Sequence, residues 1–126
     1  MTRTKVSTAH APAAIGPYSQ GIQAEGRFLF LSGQTPLRPD GTIVTGAIAD
    51  QATQCLENLK AVLAEAGLTT ENIVKSTIFL SSMAHFAEVN AVYKTYFQGD
   101  PPARSTVAVA GLPLGVDVEI EAIAVY

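Results

Sequence analysis

Residues 48–67 read IADQATQCLENLKAVLAEAG, and residues 74–80 read VKSTIFL. In the first stretch Ala52, Leu56, Leu59, Leu63 and Ala66 recur at helical spacing, with Glu57, Lys60 and Glu65 off that stripe. Gly67 follows as a C-terminal stop. The second stretch is a run of strand formers. The change of period predicts a helix laid on a sheet. Upstream, Arg-Phe-Leu-Phe-Leu-Ser-Gly at 27–33 reads as a strand after a turn at Glu25-Gly26, with residues 19–24 as its antiparallel partner. Pro39-Asp40-Gly41 carries loop chemistry. Downstream, Phe86, Val89, Tyr93 and Phe97 predict a second helix over about 83–97, capped by Ser81-Ser82 and ended by Pro101-Pro102. Two last strands fall near 104–110 and 116–125, separated by Gly111 to Gly115. The order β-β-α-β-α-β-β predicts one α+β domain over residues 1–126, a sheet with two helices on one face.

Composition narrows the function classes. Eight Lys and Arg against eleven Asp and Glu give a net charge of −3, which argues against a nucleic-acid partner. Hydrophobic residues reach 48% and charged residues only 15%, more apolar surface than one small globule needs. Phe28, Leu29, Phe30 and Leu31 are apolar at both parities, so both faces of that strand call for burial. Two helices cover one face, and a second copy of the chain is the expected cover for the other. No apolar run is long enough for a membrane span, and Met1 to Val6 lacks the apolar stretch of a secretory signal, so a cytoplasmic location is expected. One cysteine, Cys55, and two distant histidines, His10 and His85, leave almost no ligands for a metal.

The last two strands carry the chemistry. Val116, Val118, Ile120, Ala122 and Ala124 alternate with Asp117, Glu119 and Glu121. Val107 and Val109 alternate with Arg104, Thr106 and Ala108. If the two strands form a hairpin, matching apolar with apolar sets Val109 against Val116 and Val107 against Val118. Thr106 then opposes Glu119 and Arg104 opposes Glu121, on the face away from the helices. An arginine, a hydroxyl and carboxylates gathered there read in two ways. They form a receptor for a small carboxylate with a general base beside it, or a salt bridge that holds register.

Several motifs resemble one family. Ala-Ile-Gly-Pro-Tyr-Ser-Gln at 14–20, Phe-Leu-Ser-Gly-Gln at 30–34, Pro-Pro-Ala-Arg-Ser at 101–105 with Val107 and Leu112, and Val-Glu-Ile at 118–120 are similar to the signature of the RidA/YjgF family of reactive-intermediate deaminases. The resemblance implies a chorismate-mutase-like unit that forms a homotrimer with sites between subunits. It implies hydrolysis of 2-imino acids such as 2-iminopropanoate and 2-iminobutanoate to 2-keto acids and ammonia, with no metal or organic cofactor. It assigns Arg104 to the substrate carboxylate and Glu119 to activation of a water. Tyr18, Ser32, Gly33 and Asn90 line the pocket. Thr106 stands where the family often carries cysteine, so a main-chain contact is kept and the thiol is lost.

Plainer roles stand beside these. Cys55 reads as a small buried residue inside the first helix, and Asp117 and Glu121 as structural. Asn90 is either a ligand or a satisfied buried amide, and Tyr18 either lines a pocket or anchors packing. A ribonuclease or translation inhibitor, also attributed to the family, and a non-catalytic small-acid binding protein are the rival functions.

Overall fold

Helix α1 (Ile48–Glu65) presents Ala52, Cys55, Leu56, Leu59 and Leu63 as one buried stripe. Its end shows why the sequence stops there. Gly67 takes φ +78°, its amide bonds the Ala64 carbonyl at 2.9 Å, and the Leu68 amide bonds the Leu63 carbonyl at 2.8 Å. That pairing needs a left-handed residue, which glycine supplies at least cost. The computed structural model describes residues 2–126.

Against α1 lies a four-stranded sheet of β3 (Phe28–Gln34), β6 (Val118–Val125), β4 (Ile73–Leu80) and β5 (Ala103–Ala108), in that spatial order. Strand β6 runs antiparallel to β3 and β4, whereas β4 and β5 are parallel. The second helix, α2 (Phe86–Lys94), forms the crossover from β4 to β5. It is shorter than its apolar stripe predicts. A single 3-10 turn at Met83–His85, capped by the Ser82 hydroxyl, leads into it. At the other end the Thr95 hydroxyl donates to the Val92 carbonyl, and the backbone turns away. The core joins Ile78 and Leu80 of β4, Val118, Ile120, Ala122 and Ala124 of β6, and Val89 and Tyr93 of α2.

Two expected pairings are corrected. Residues 21–25 form β2 (Gly21–Glu25), which pairs with β1 (Thr2–Val6), not with β3. The N-terminal segment of alternating polar residues carries no apolar signal, yet it matches β2 over five positions, from Thr2 opposite Glu25 to Val6 opposite Gly21. The hairpin of the last two strands is also absent, because β4 separates them. Leu80 accepts the Val109 amide at 2.9 Å, and the Ser81 amide bonds the Asp117 carbonyl at 3.0 Å, so the end of β4 is tied to both neighbours. Leu114 at φ +59° and Gly115 at +67° turn the chain across that end.

The insertion of β4 changes which residues share a face. Ser76 pairs with Arg104 on one side and Ala122 on the other. Phe79 pairs with Val107 and Glu119, and Thr77 with Ser105 and Glu121. Laterally paired residues point to one face. Arg104 and Thr106 therefore lie on the helix side with Ser76, Ile78 and Leu80, and Glu119 and Glu121 lie on the other. The alternation within each strand stands as read. The expectation that Arg104 opposes Glu121 and Thr106 opposes Glu119 on one face does not.

The face away from the helices is apolar and open in the single chain. Phe28 is 58% exposed, Phe30 72% and Val107 43%. The two phenylalanine rings stack at 5.8 Å. Only the Leu29 and Leu31 side of strand 28–31 meets the core.

Asp117, expected to be structural, ties β6 to the β4–α2 turn. It accepts from the Ser81 hydroxyl at 2.7 Å and the Gln51 amide at 3.1 Å, and His85 stands 3.9 Å away. The Ser81 and Gln51 bonds hold its pKa below the usual value. A depressed carboxyl pKa stabilises the fold above the unfolded value, and that stability is lost as pH falls through the folded one. Urea titrations across the acid range should show a limb that Asp117→Asn flattens. At neutral pH, Leu63→Ala should cost about 2–5 kcal/mol in the same titration, as a fully buried leucine leaves a cavity.

Candidate functional site

Arg104 leaves an edge strand toward α2, and its surroundings define the site. Its Nη1 donates to the Asn90 Oδ1 at 2.7 Å. Its guanidinium carbon lies 5.1 Å from the Tyr93 ring centroid, 5.5 Å from Tyr18 and 5.8 Å from Phe86. Phe86, Asn90 and Tyr93 stand at i, i+4 and i+7 on α2, so one helical face delivers all three. All three rings are close enough for cation–π attraction.

Tyr18 arrives from far in sequence. The Ser19 amide donates to the Pro102 carbonyl at 3.1 Å and its hydroxyl to the Pro101 carbonyl, which fixes this segment at the entry to β5. Gly16 lies beside the Tyr18 ring, and a Cβ there would sit 3.8 Å from Arg104 Nη2. The segment therefore reaches the guanidinium with both the Tyr18 ring and the Gly16 backbone.

The electrostatics are unbalanced. Burial pushes the Arg104 pKa down, with Tyr93 and Tyr18 acting the other way. Arginine nevertheless stays charged. Among the described residues no carboxylate stands within ion-pair distance of it, the ion pairs being Lys5–Asp100 and His85–Asp117. Burial pushes the Tyr93 hydroxyl up to about 12, so it stays protonated. Thr106, two residues along on the Arg104 face, has a buried hydroxyl with no hydrogen-bond partner.

Glu119 and Gly33 form a second group. The β3–β6 ladder slips between Leu31 and Gln34, so Ser32 and Gly33 stand in an irregular stretch of β3. The Glu119 carboxylate lies against Gly33, where a Cβ would collide with its Oε2. The sequence-predicted residues thus divide in two. Arg104, Asn90 and Tyr18 meet on the helix side with Thr106 along the same face, while Glu119 meets Gly33 elsewhere, with Ser32 the chain neighbour of that glycine.

Residues 8–126 match the family described as endoribonuclease L-PSP. The chain belongs to this family, the RidA/YjgF family. It is 52% identical to protein DfrA of Myxococcus xanthus, covering 99% of this chain and 97% of that protein. It is 51% identical to the 2-iminobutanoate/2-iminopropanoate deaminase of Mus musculus, covering 98% and 91%. The E. coli protein TdcF, solved with bound serine, is 45% identical with a TM-score of 0.76 over 98% of each chain. The Rid-family protein YyfB of Yersinia pestis, 31% identical, reaches a TM-score of 0.91 over the whole of both chains. Membership in the RidA/YjgF family agrees with the α+β sheet and its two helices.

Three residues of the site carried no functional signal in the sequence. Phe86 and Tyr93 read as core stripe, and Ser76 as one more strand residue. Cys55 is buried as expected. Burial, reinforced by the Glu119 charge, raises its pKa to about 12 and keeps the thiol inert. No helix among the described residues is long and apolar enough to cross a membrane, and no group of three or more His, Cys, Asp or Glu among them could hold a metal.

Gly33→Ala should displace the Glu119 carboxylate while costing little stability, because the collision falls on the flexible end of a side chain. The checks are a melting temperature within a few degrees of the parent and a shifted Glu119 carboxyl carbon resonance. An unmoved resonance would show that Gly33 does not set the Glu119 position.

Proposed function

We propose that this chain hydrolyses 2-imino acids to 2-keto acids and ammonia, in sites completed by two neighbouring copies of a homotrimer. The observation that carries the reading is the Arg104 guanidinium, half-buried among three rings, bonded to one amide oxygen and lacking a carboxylate partner among the described residues. A desolvated arginine with donors to spare suits a small carboxylate. The name of the mouse relative and the serine held by the E. coli relative agree with a ligand bearing an α-carboxylate.

The chemistry asks little of the protein. Arg104 holds the carboxylate, and Asn90 fixes the guanidinium by occupying Nη1. A protonated imine carbon is already electrophilic. Glu119 takes a proton as water adds to that carbon and returns it to the nitrogen of the tetrahedral adduct, whose C–N bond then breaks to release ammonia while the hydroxyl gives up its proton and leaves the ketone. Ser32 and Gly33 contribute the wall beside Glu119, Tyr18 the wall beside Arg104, and Thr106 a polar main chain. No step calls for a metal or an organic cofactor.

Glu119 and Arg104 lie on opposite sheet faces, so one copy does not bring them together. The exposed Phe28, Phe30 and Val107 share the Glu119 face, and packing it against the neighbour's Arg104 edge would bury them and join the two groups. The family description names an endoribonuclease, but the net charge of −3 argues against an RNA substrate for this chain.

Coupled to an amino acid dehydratase, the purified protein should accelerate imine loss. Arg104→Ala should nearly abolish this, and Arg104→Lys should recover little. Glu119→Gln should slow it about 10²–10⁴-fold. Wild-type turnover in either the Ala or the Gln variant would overturn the assignment.

Co-folding the Arg104→Ala and Glu119→Gln chains in equal amounts should restore about a quarter of wild-type activity, since about one site in four draws both intact groups. No recovery would place each site within one chain. Light scattering should show three chains per particle, and a stable monomer or dimer would refute the trimer.

A further inference from the structure

The floor of the Arg104 site contains two hydroxyls in a region that should be hydrocarbon. Ser76 and Tyr93 are 2% and 0% exposed. Ser76 occupies a core-facing position of β4, in line with Ile78 and Leu80. A buried hydroxyl is costly unless bonded, so neither residue suits that position alone. Together they satisfy each other, with the Ser76 and Tyr93 oxygens 2.6 Å apart. Phenylalanine at 93 and alanine at 76 would build a core without either hydroxyl, so packing does not account for the pair.

The pair's position does. Ser76 is the lateral register partner of Arg104 on the same face. Tyr93 is the nearest of the three rings to the guanidinium, at 5.1 Å. Phe97 packs against the same ring, at 4.8 Å between centroids. The ring is thus contacted by Phe97 and pinned at its hydroxyl by the strand residue beside Arg104.

We propose that the Ser76–Tyr93 hydroxyl pair is a positioning device for Arg104, fixing the ring on which the guanidinium rests so that its free donors keep one direction. This rests on the reading of Arg104 as the carboxylate receptor. The pair touches no substrate and acts only through Arg104.

Tyr93→Phe and Ser76→Ala each remove one oxygen and little volume. Three readouts apply: the Arg104 Nε–Hε NMR signal with its guanidinium rotation rate, 2-ketobutyrate affinity by calorimetry, and the KM–kcat split in the coupled assay. The expected result is slow guanidinium rotation in the parent and fast rotation in both variants. Affinity should weaken about 3–10-fold, with KM rising more than kcat falls. Ser76→Thr, which keeps a hydroxyl, should restore the parent behaviour. Unchanged rotation and unchanged affinity with a lowered melting temperature would reduce the pair to a core hydrogen bond and overturn the proposal, as would failure of both variants to fold. If the parent binds no 2-ketobutyrate and processes no imine while rotation still quickens in the variants, the receptor reading falls and the positioning role stands.

Discussion

Strand β4 spends both of its edges, one on parallel β5 and the other on antiparallel β6. In a buried sheet, backbone amides and carbonyls must find partners, and a strand between two neighbours satisfies all of its own. That placement carries Ile78 and Leu80 into the core and sets Ser76 beside Arg104. It also separates β5 from β6, which sends Arg104 and Glu119 to opposite faces. The division of the chemistry into two groups follows from the position of one strand.

Each group is tuned by what surrounds it. Near Arg104 the charge is offset by π faces and one amide oxygen, with no carboxylate among the described residues to neutralise it. That leaves a cation partly removed from water, with one Nη bonded to the Asn90 amide oxygen. Beside Glu119 the tuning is steric, because Gly33 leaves space that any side chain would fill. Asp117 shows the contrast. Its bonds to Ser81 and Gln51 commit it to holding elements together.

The open face of the sheet relates these observations to the composition. A chain with 48% hydrophobic residues leaves Phe28 and Phe30 largely uncovered while its helices cover the other side. A large exposed aromatic pair on a sheet marks an interaction surface. Glu119 stands on that same face, which is the physical basis for proposing that assembly and catalysis use one surface.

Local pattern was enough for the two helices and five of the six strands, in their order, but not for β1. The 3.6-residue stripe with Gly67 marked α1, alternation marked β6, and the doubly apolar 28–31 stretch marked a strand with two faces to account for. The residues Arg104, Glu119, Tyr18, Asn90, Ser32 and Gly33 were nameable from motifs. Strand neighbours were not, because alternation sets which residues of one strand share a face but leaves open which strand lies alongside. A hairpin of β5 and β6 satisfied the apolar matching as well as the observed ladder does, and only the crossover through α2 placed β4 between them. The pairing of β1 with β2 was hidden for a related reason, since its polar residues carry no burial signal. Tyr93 and Ser76 could be read only as core and strand, because a hydroxyl pair 17 residues apart in sequence exists only once helix and sheet have docked.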